Sequence, residues 1–135
     1  MGVSIPERIR AKGVKPSYLR TRILEYMLNY RNHPTVDMIY QALAPEIPTL
    51  SRTTVYNTVK LFLEKGLVQR IGIDEQELRY DADTGIHAHF RCEKCGMILD
   101  LPVDPDAVSI KYPDNLKVNE VQYYLIGLCG RCRQA

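Results

Sequence analysis

The chain has 135 residues and a mass of 15.5 kDa, enough for one ordinary domain or two small lobes, which excludes a large multidomain enzyme. With 45% hydrophobic and 25% charged residues and a mean hydropathy of −0.24, the composition is that of a soluble globular protein and not of a mainly disordered one. The net charge of +2 divides unevenly: residues 1–73 carry 11 Lys and Arg against 5 Asp and Glu, net +6, while residues 74–135 carry 7 against 11, net −4. A basic first half suits a polyanion, and an acidic second half that holds all four cysteines suits cations. No apolar run approaches the roughly 18 residues that span a bilayer, and residues 1–8 lack the apolar block of a signal peptide. A cytoplasmic protein with reduced cysteines and no membrane partner is therefore expected.

In chain order, Leu19, Ile23, Leu24, Met27 and Leu28 recur at helical spacing between Ser17 and Arg31, behind the helix-starting Pro16. Residues 36–44 form the second predicted helix, with Val36, Ile39, Tyr40 and Leu43 on one side, Thr35 as N-cap and Asp37 where the helix dipole favours an anion. Pro45 and Pro48 bound a connector; Ser51 then caps a third helix that runs to about Lys65 and stops at Gly66. Residues 67–73 and 77–81 read as two strands joined by the polar turn Asp74-Glu75-Gln76, and helices followed by such a ribbon make a winged helix-turn-helix. Asp83-Thr84-Gly85 is the linker, so the expected domains are 1–83 for DNA binding and 84–135 for a smaller second lobe. That lobe should contain strands at 87–91 and 97–101, a helix or turn around 104–112, and strands near 116–118 and 121–128. The predicted class is thus α+β.

The third predicted helix has two distinct faces. Val55, Val59, Phe62 and Leu63 follow core spacing, and Thr53, Tyr56, Asn57, Lys60 and Glu64 repeat on the other side. An isolated helix of this kind reads as a solvated surface element. Placed ahead of a β-ribbon in a half of net charge +6, it reads as a recognition helix. Asn57 suits adenine, Tyr56 and Thr53 suit a thymine methyl or a phosphate, and Arg52 and Lys60 can neutralise backbone charge.

Cys92-Glu93-Lys94-Cys95 and Cys129-Gly130-Arg131-Cys132 are two knuckles, each short enough to place both sulfurs on one ion, with Gly96 and Gly130 allowing tight turns. Four thiolates make a closed, structural Zn²⁺ site, so the chain between the knuckles, 33 residues, must fold back on itself. His87 and His89 stand two apart on a predicted strand, point to one side and make a reasonable half of a second metal site. His33, beside a proline, reads by itself as a turn histidine.

Several stretches in order resemble the ferric uptake regulator (Fur) family over nearly the whole chain. They are His33-Pro34-Thr35-Val36-Asp37-Met38-Ile39-Tyr40, Ser51-Arg52-Thr53-Thr54-Val55-Tyr56-Asn57 with Gly66-Leu67-Val68, Arg79-Tyr80-Asp81, His87-Ala88-His89-Phe90-Arg91-Cys92-Glu93-Lys94-Cys95-Gly96 with Asp100, and Cys129-Gly130-Arg131-Cys132. The resemblance implies a homodimeric repressor, not an enzyme. Its winged helix would bind double-stranded operator DNA, AT-rich and pseudo-palindromic, and its small α/β dimerisation lobe would be held by the four-cysteine zinc. It further implies a regulatory Fe²⁺ or Mn²⁺ on His33, Asp81, His87, His89 and Asp100, a set that zinc can also occupy because affinity favours it.

Asp81 stands where iron-uptake regulators usually have Glu, and Asn57 where they usually have Arg, which places the resemblance closest to the peroxide-sensing, PerR-like branch. In that branch bound Fe²⁺ reacts with hydrogen peroxide and a ligand histidine is oxidised, here His33 or His87, so DNA is released. Iron- or manganese-uptake regulation is the alternative within the family. A zinc-dependent hydrolase using His87 and His89 is the alternative from another class, but no Glu is placed as its general base. A zinc-ribbon adaptor that binds only protein would leave the His/Asp set and the basic half idle. A further family metal site is expected to be absent, since Val121-Gln122-Tyr123 offers no imidazole.

Overall fold

The computed structural model describes residues 3–30, 33–74, 77–104 and 106–134. The chain divides into two compact units, residues 1–84 and 85–135.

The first unit is four helices and a two-stranded ribbon. The helices α1 (Ile5–Ala11), α2 (Tyr18–Asn29), α3 (Val36–Leu43) and α4 (Arg52–Glu64) all begin in the same way. Ser4, Ser17, Thr35 and Ser51 each sit in extended backbone and accept a hydrogen bond from the amide three residues on, so a donor that the helix leaves unpaired is satisfied. Helix α4 ends at Gly66, whose φ of +75° is the left-handed conformation that glycine adopts without penalty. The amide of Leu67 then closes back onto the Phe62 carbonyl at 2.9 Å. The core of this unit is built from Ile9, Ile23, Leu24, Met27, Ile39, Val55, Val59 and Phe62, all essentially inaccessible to water.

The wing pairs β1 (Gln69–Ile71) with β2 (Arg79–Asp81) antiparallel, Arg70 facing Tyr80. Of the predicted turn between them, Glu75 and Gln76 lie outside the described residues. Two expectations need correction here. A helix, α1, precedes those read from the sequence, so the recognition helix is the fourth and not the third. Thr58, not assigned to the core face, takes an inward position with its hydroxyl donating to the Thr54 carbonyl at 2.9 Å, whereas Leu63 packs half-buried against the core as assigned.

The second unit is a three-stranded sheet in the order β4 (Ile98–Pro102), β3 (His87–Cys92), β5 (Tyr123–Gly127), closed by the short helix α5 (Gly130–Gln134). Strand β3 pairs antiparallel with β4 and parallel with β5. A parallel neighbour requires a long crossover, and residues 103–122 provide it. Of the helix or turn expected around 104–112, the described part of that crossover shows a turn and no helix, and the strand expected near 116–118 is not formed there. Asp104 makes a local turn instead, its carboxylate accepting from the Asp106 amide at 3.0 Å, and Leu116 turns back onto the Pro113 carbonyl at 3.1 Å. Gly130 is likewise not a tight-turn glycine but the first residue of α5, whereas Gly96 has φ +78° and turns as expected.

Candidate metal centres and nucleic-acid interface

The central strand β3 organises the second unit because alternate side chains leave its two faces. Ala88, Phe90 and Cys92 point one way; His87 and His89 point the other.

On the first face, Cys92 meets Cys95, Cys129 and Cys132, with all four sulfurs within 4.8 Å of one another. Four sulfurs around a zinc ion at about 2.3 Å would be about 3.8 Å apart, and Cys95 and Cys129 are separated by 3.8 Å. The set therefore fits zinc by donor type, number and spacing. The parallel pairing of β3 with β5 brings Cys92 level with Gly127, two residues before the second knuckle, and this answers how the two distant pairs meet. Backbone amides of Cys95 and Cys129 bring the Cys92 thiol down to about 6, favouring the thiolate that a metal binds. The Cys129 amide lies 3.4 Å from the Cys92 sulfur, and the Cys132 amide 3.4 Å from the Cys129 sulfur. Cys132, donating to Cys129 and shielded from water, is pushed up to about 12.

On the second face, the antiparallel register sets His89 directly opposite Asp100. His89 Nε2 is 3.3 Å and His87 Nε2 3.6 Å from the same Asp100 oxygen, and the two rings lie 4.4 Å apart. His87 Nδ1 donates to the Gly85 carbonyl at 2.9 Å, which leaves Nε2 as the atom with a lone pair for a cation. Tyr124 of β5 stands edge-on to His89 at 6.4 Å, a neighbour that sequence reasoning missed and that the β3–β5 register explains.

The first unit carries a separate His/Asp pair. His33 and Asp81 are both buried, with Nε2 and Oδ2 3.9 Å apart. The loop before α3 is fastened to the wing by two bonds: Arg79 donates to the His33 carbonyl at 3.1 Å, and the Tyr80 amide donates to the Pro34 carbonyl at 3.0 Å. Arg79 is in turn held by Asp74 at 3.1 Å. Asp81 is the next residue along β2, so these contacts deliver its carboxylate to His33. One oxygen accepts from the Asp83 amide at 2.9 Å. His33 itself adopts φ +52°, a left-handed backbone rare outside glycine and costing on the order of 1–3 kcal/mol unless the surroundings impose it. The Arg79 and Tyr80 bonds impose it here. Neither Arg79 nor Asp74 was singled out from the sequence as a support, because the pairing that places them is tertiary.

Helix α4 presents Arg52, Thr53, Tyr56, Asn57 and Lys60 to solvent, and buries Val55, Thr58, Val59 and Phe62. The expected recognition face is thus continuous and accessible. Tyr56 is half exposed.

Known proteins match this chain in sequence and in fold. The sequence pattern of the ferric uptake regulator family matches residues 11–122. The peroxide-responsive repressor PerR of Staphylococcus epidermidis is 32% identical over 129 residues, covering 93% of this chain and 86% of its own, and that of Staphylococcus aureus is 33% identical over the same span. Among solved structures, PerR from Streptococcus pyogenes, described as a basis for peroxide sensing and gene regulation, is 29% identical with a TM-score of 0.53, covering 93% of this chain and 88% of its own. The Helicobacter pylori ferric uptake regulator shares the fold, with a TM-score of 0.73 at 17% identity over 96% of this chain and 89% of its own. The match over most of the length, together with the four-cysteine cluster and the α+β architecture, makes this chain a member of the ferric uptake regulator family of repressors.

Proposed function

We propose that this chain is a cytoplasmic, metal-dependent repressor that releases DNA in response to peroxide. The observation that carries the reading is that each unit offers its own cluster of nitrogen and oxygen donors: His33 with Asp81, and His87 with His89 and Asp100. One divalent cation shared by the two clusters would set the angle between the reading head and the zinc-stapled lobe. Donors without sulfur suit Fe²⁺ or Mn²⁺ and also accept Zn²⁺. The kinship with proteins named peroxide-responsive repressors supports the peroxide trigger.

Pairing with a second copy follows from the apolar face of the second unit. Phe90, Met97, Leu99, Leu101 and Leu128 line an open cleft of about 490 Å³, and Met97, Leu99 and Leu128 are each at least 42% exposed. Apolar surface of that kind is usually covered by a partner. In a homodimer the angle between units sets the spacing of two α4 helices, which must match operator half-sites about 34 Å apart or a related geometry. An AT-rich, pseudo-palindromic duplex is the expected target.

Ferrous iron, when bound, supplies the electron that reduces hydrogen peroxide next to the imidazoles. His33 and His87 are the proposed acceptors: in net terms one peroxide oxygen would go to the ring and the other would leave as water, and loss of either imidazole as a nitrogen donor would dismantle its cluster. No cysteine is needed, since all four are gathered at the zinc. The direct test is mass spectrometry of Fe²⁺-loaded protein after peroxide, alongside a gel shift. The expected result is a gain of one oxygen on His33 or His87 with release of DNA. Unmodified histidines with oxidised cysteines alone would contradict the peroxide reading, and DNA binding indifferent to Mn²⁺ would contradict metal dependence. A zinc hydrolase would instead turn over an organic substrate without responding to DNA.

A further inference from the structure

Arg52 is the first residue of α4, the end of a recognition helix that approaches base edges. A cation there is expected to serve as a phosphate clamp, yet its surroundings are unsuited to that. Its Nε donates to Asp37 of α3 at 2.7 Å, so the pair presents almost no net charge to a polyanion. Its guanidinium also lies over the Tyr40 ring, with the central carbon 4.4 Å from the ring centre. Both Arg52 and Asp37 remain more than half exposed, so neither contact withdraws the group from solvent.

Together the two contacts do something more specific than neutralise charge. The carboxylate engages Nε and the Tyr40 ring lies beneath the guanidinium carbon, which leaves the two terminal amino groups as a paired donor fork. Among the described residues, none accepts a hydrogen bond from that fork. Two parallel N–H donors at fixed spacing match the O6 and N7 acceptors of guanine, whereas adenine presents a donor at one of those positions. Loss of side-chain freedom is already met in the free protein, so less is lost on binding.

We propose that Arg52 reads a guanine in each operator half-site, with Asp37 and Tyr40 as the positioning residues that hold its guanidinium. Asn57, farther along the same exposed face, would read adenine, so an otherwise AT-rich half-site would contain one defining guanine. The inference rests on the DNA-binding reading above, and the experiment separates the two.

The test is selection from random duplexes by the full-length, zinc-replete protein with Mn²⁺, followed by affinities for single-base variants at several salt concentrations. The parent should select half-sites with one guanine, and its replacement by adenine should weaken binding about tenfold or more. The double variant Arg52→Ala/Asp37→Asn, which removes both charges of the pair, should bind the two duplexes equally while keeping the parent's salt dependence. Arg52→Lys should not restore the preference, because an ammonium cannot make the paired contact. Asp37→Asn and Tyr40→Leu should narrow the discrimination without weakening binding to other sequences. If that double variant weakens every duplex by the same factor and flattens the salt dependence, Arg52 is a phosphate contact and the proposal is overturned. An unchanged guanine preference in that variant overturns it equally. A parent protein that binds no duplex with or without Mn²⁺ would remove the DNA-binding reading itself, and this inference with it.

Discussion

Cys92→Ser should abolish zinc binding and unfold the second unit. Cys92 is fully buried, and among the described residues the one apolar side chain packed on the Cys92, Cys129 and Cys132 cluster is Phe90. A segment of roughly 50 residues rarely holds itself together with so small a core, and a structural metal is a common substitute for the missing burial. The apparent contribution of a structural zinc, about 10–16 kcal/mol at neutral pH, is comparable to or larger than the whole stability of a domain, about 5–15 kcal/mol. Serine in place of a thiolate leaves three ligands and a buried hydroxyl in a site that selects sulfur. The expected measurements are zinc content well below one per chain, lost protection of residues 85–134 from proteolysis, and dissociation of the dimer at concentrations where the parent is intact. Dimers of Cys92→Ser as heat-resistant as the parent would refute the structural-zinc assignment.

Asp81→Ala should remove metal-stimulated DNA binding while leaving a zinc-containing dimer. The carboxylate is buried beside His33 and its second oxygen is already taken by the Asp83 amide, so it has no freedom to be replaced by a neighbour. Its removal deletes the anionic donor of the first unit's cluster, and Mn²⁺ depends on carboxylate donors more than zinc does. The four sulfurs lie in the other unit and are untouched. A gel shift should therefore show the variant binding operator equally with and without Mn²⁺, at the weaker level of the metal-free parent. Retention of the parent's Mn²⁺ stimulation would exclude Asp81 as a ligand. The two substitutions have opposite signatures: one costs the dimer and the other costs only the switch.

Much of this architecture was legible because it is written locally. Thr35, Ser51 and Gly66 mark helix ends through chemistry confined to one turn, and each acts where its residue type predicts. Helix α1 carries the same kind of signal, Ser4 followed by Glu7 with Pro6 between, and a strict search for capping patterns would have found it. The cysteine cluster was equally plain, since two close pairs leave a metal little choice of partners. What could not be read locally is what depends on pairing. The apolar residues Val108, Ile110, Leu116 and Val118 suggested a helix or strands, yet no strand pairs with them among the described residues and they stay exposed, because strand formation is decided by neighbours more than by propensity. By itself His33 reads as a turn residue, and nothing local announces its burial beside Asp81. Its left-handed backbone and its approach to Asp81 come from Arg79 and Tyr80, more than 40 positions later in the chain. The alternation of β3, by contrast, was visible in His87-Ala88-His89, and only the register with β4 was needed to add Asp100.

The proposed switch requires that His33 and Asp81 hold the same cation as His87, His89 and Asp100. Calorimetric titration of the zinc-replete dimer with Mn²⁺ tests this directly when the parent is compared with Asp81→Ala, His89→Ala and the double variant. A shared ion predicts one Mn²⁺ per chain, loss of the high-affinity step in either single variant, and no further loss in the double. Two independent binding events per chain, each removed by only one of the substitutions, would contradict it.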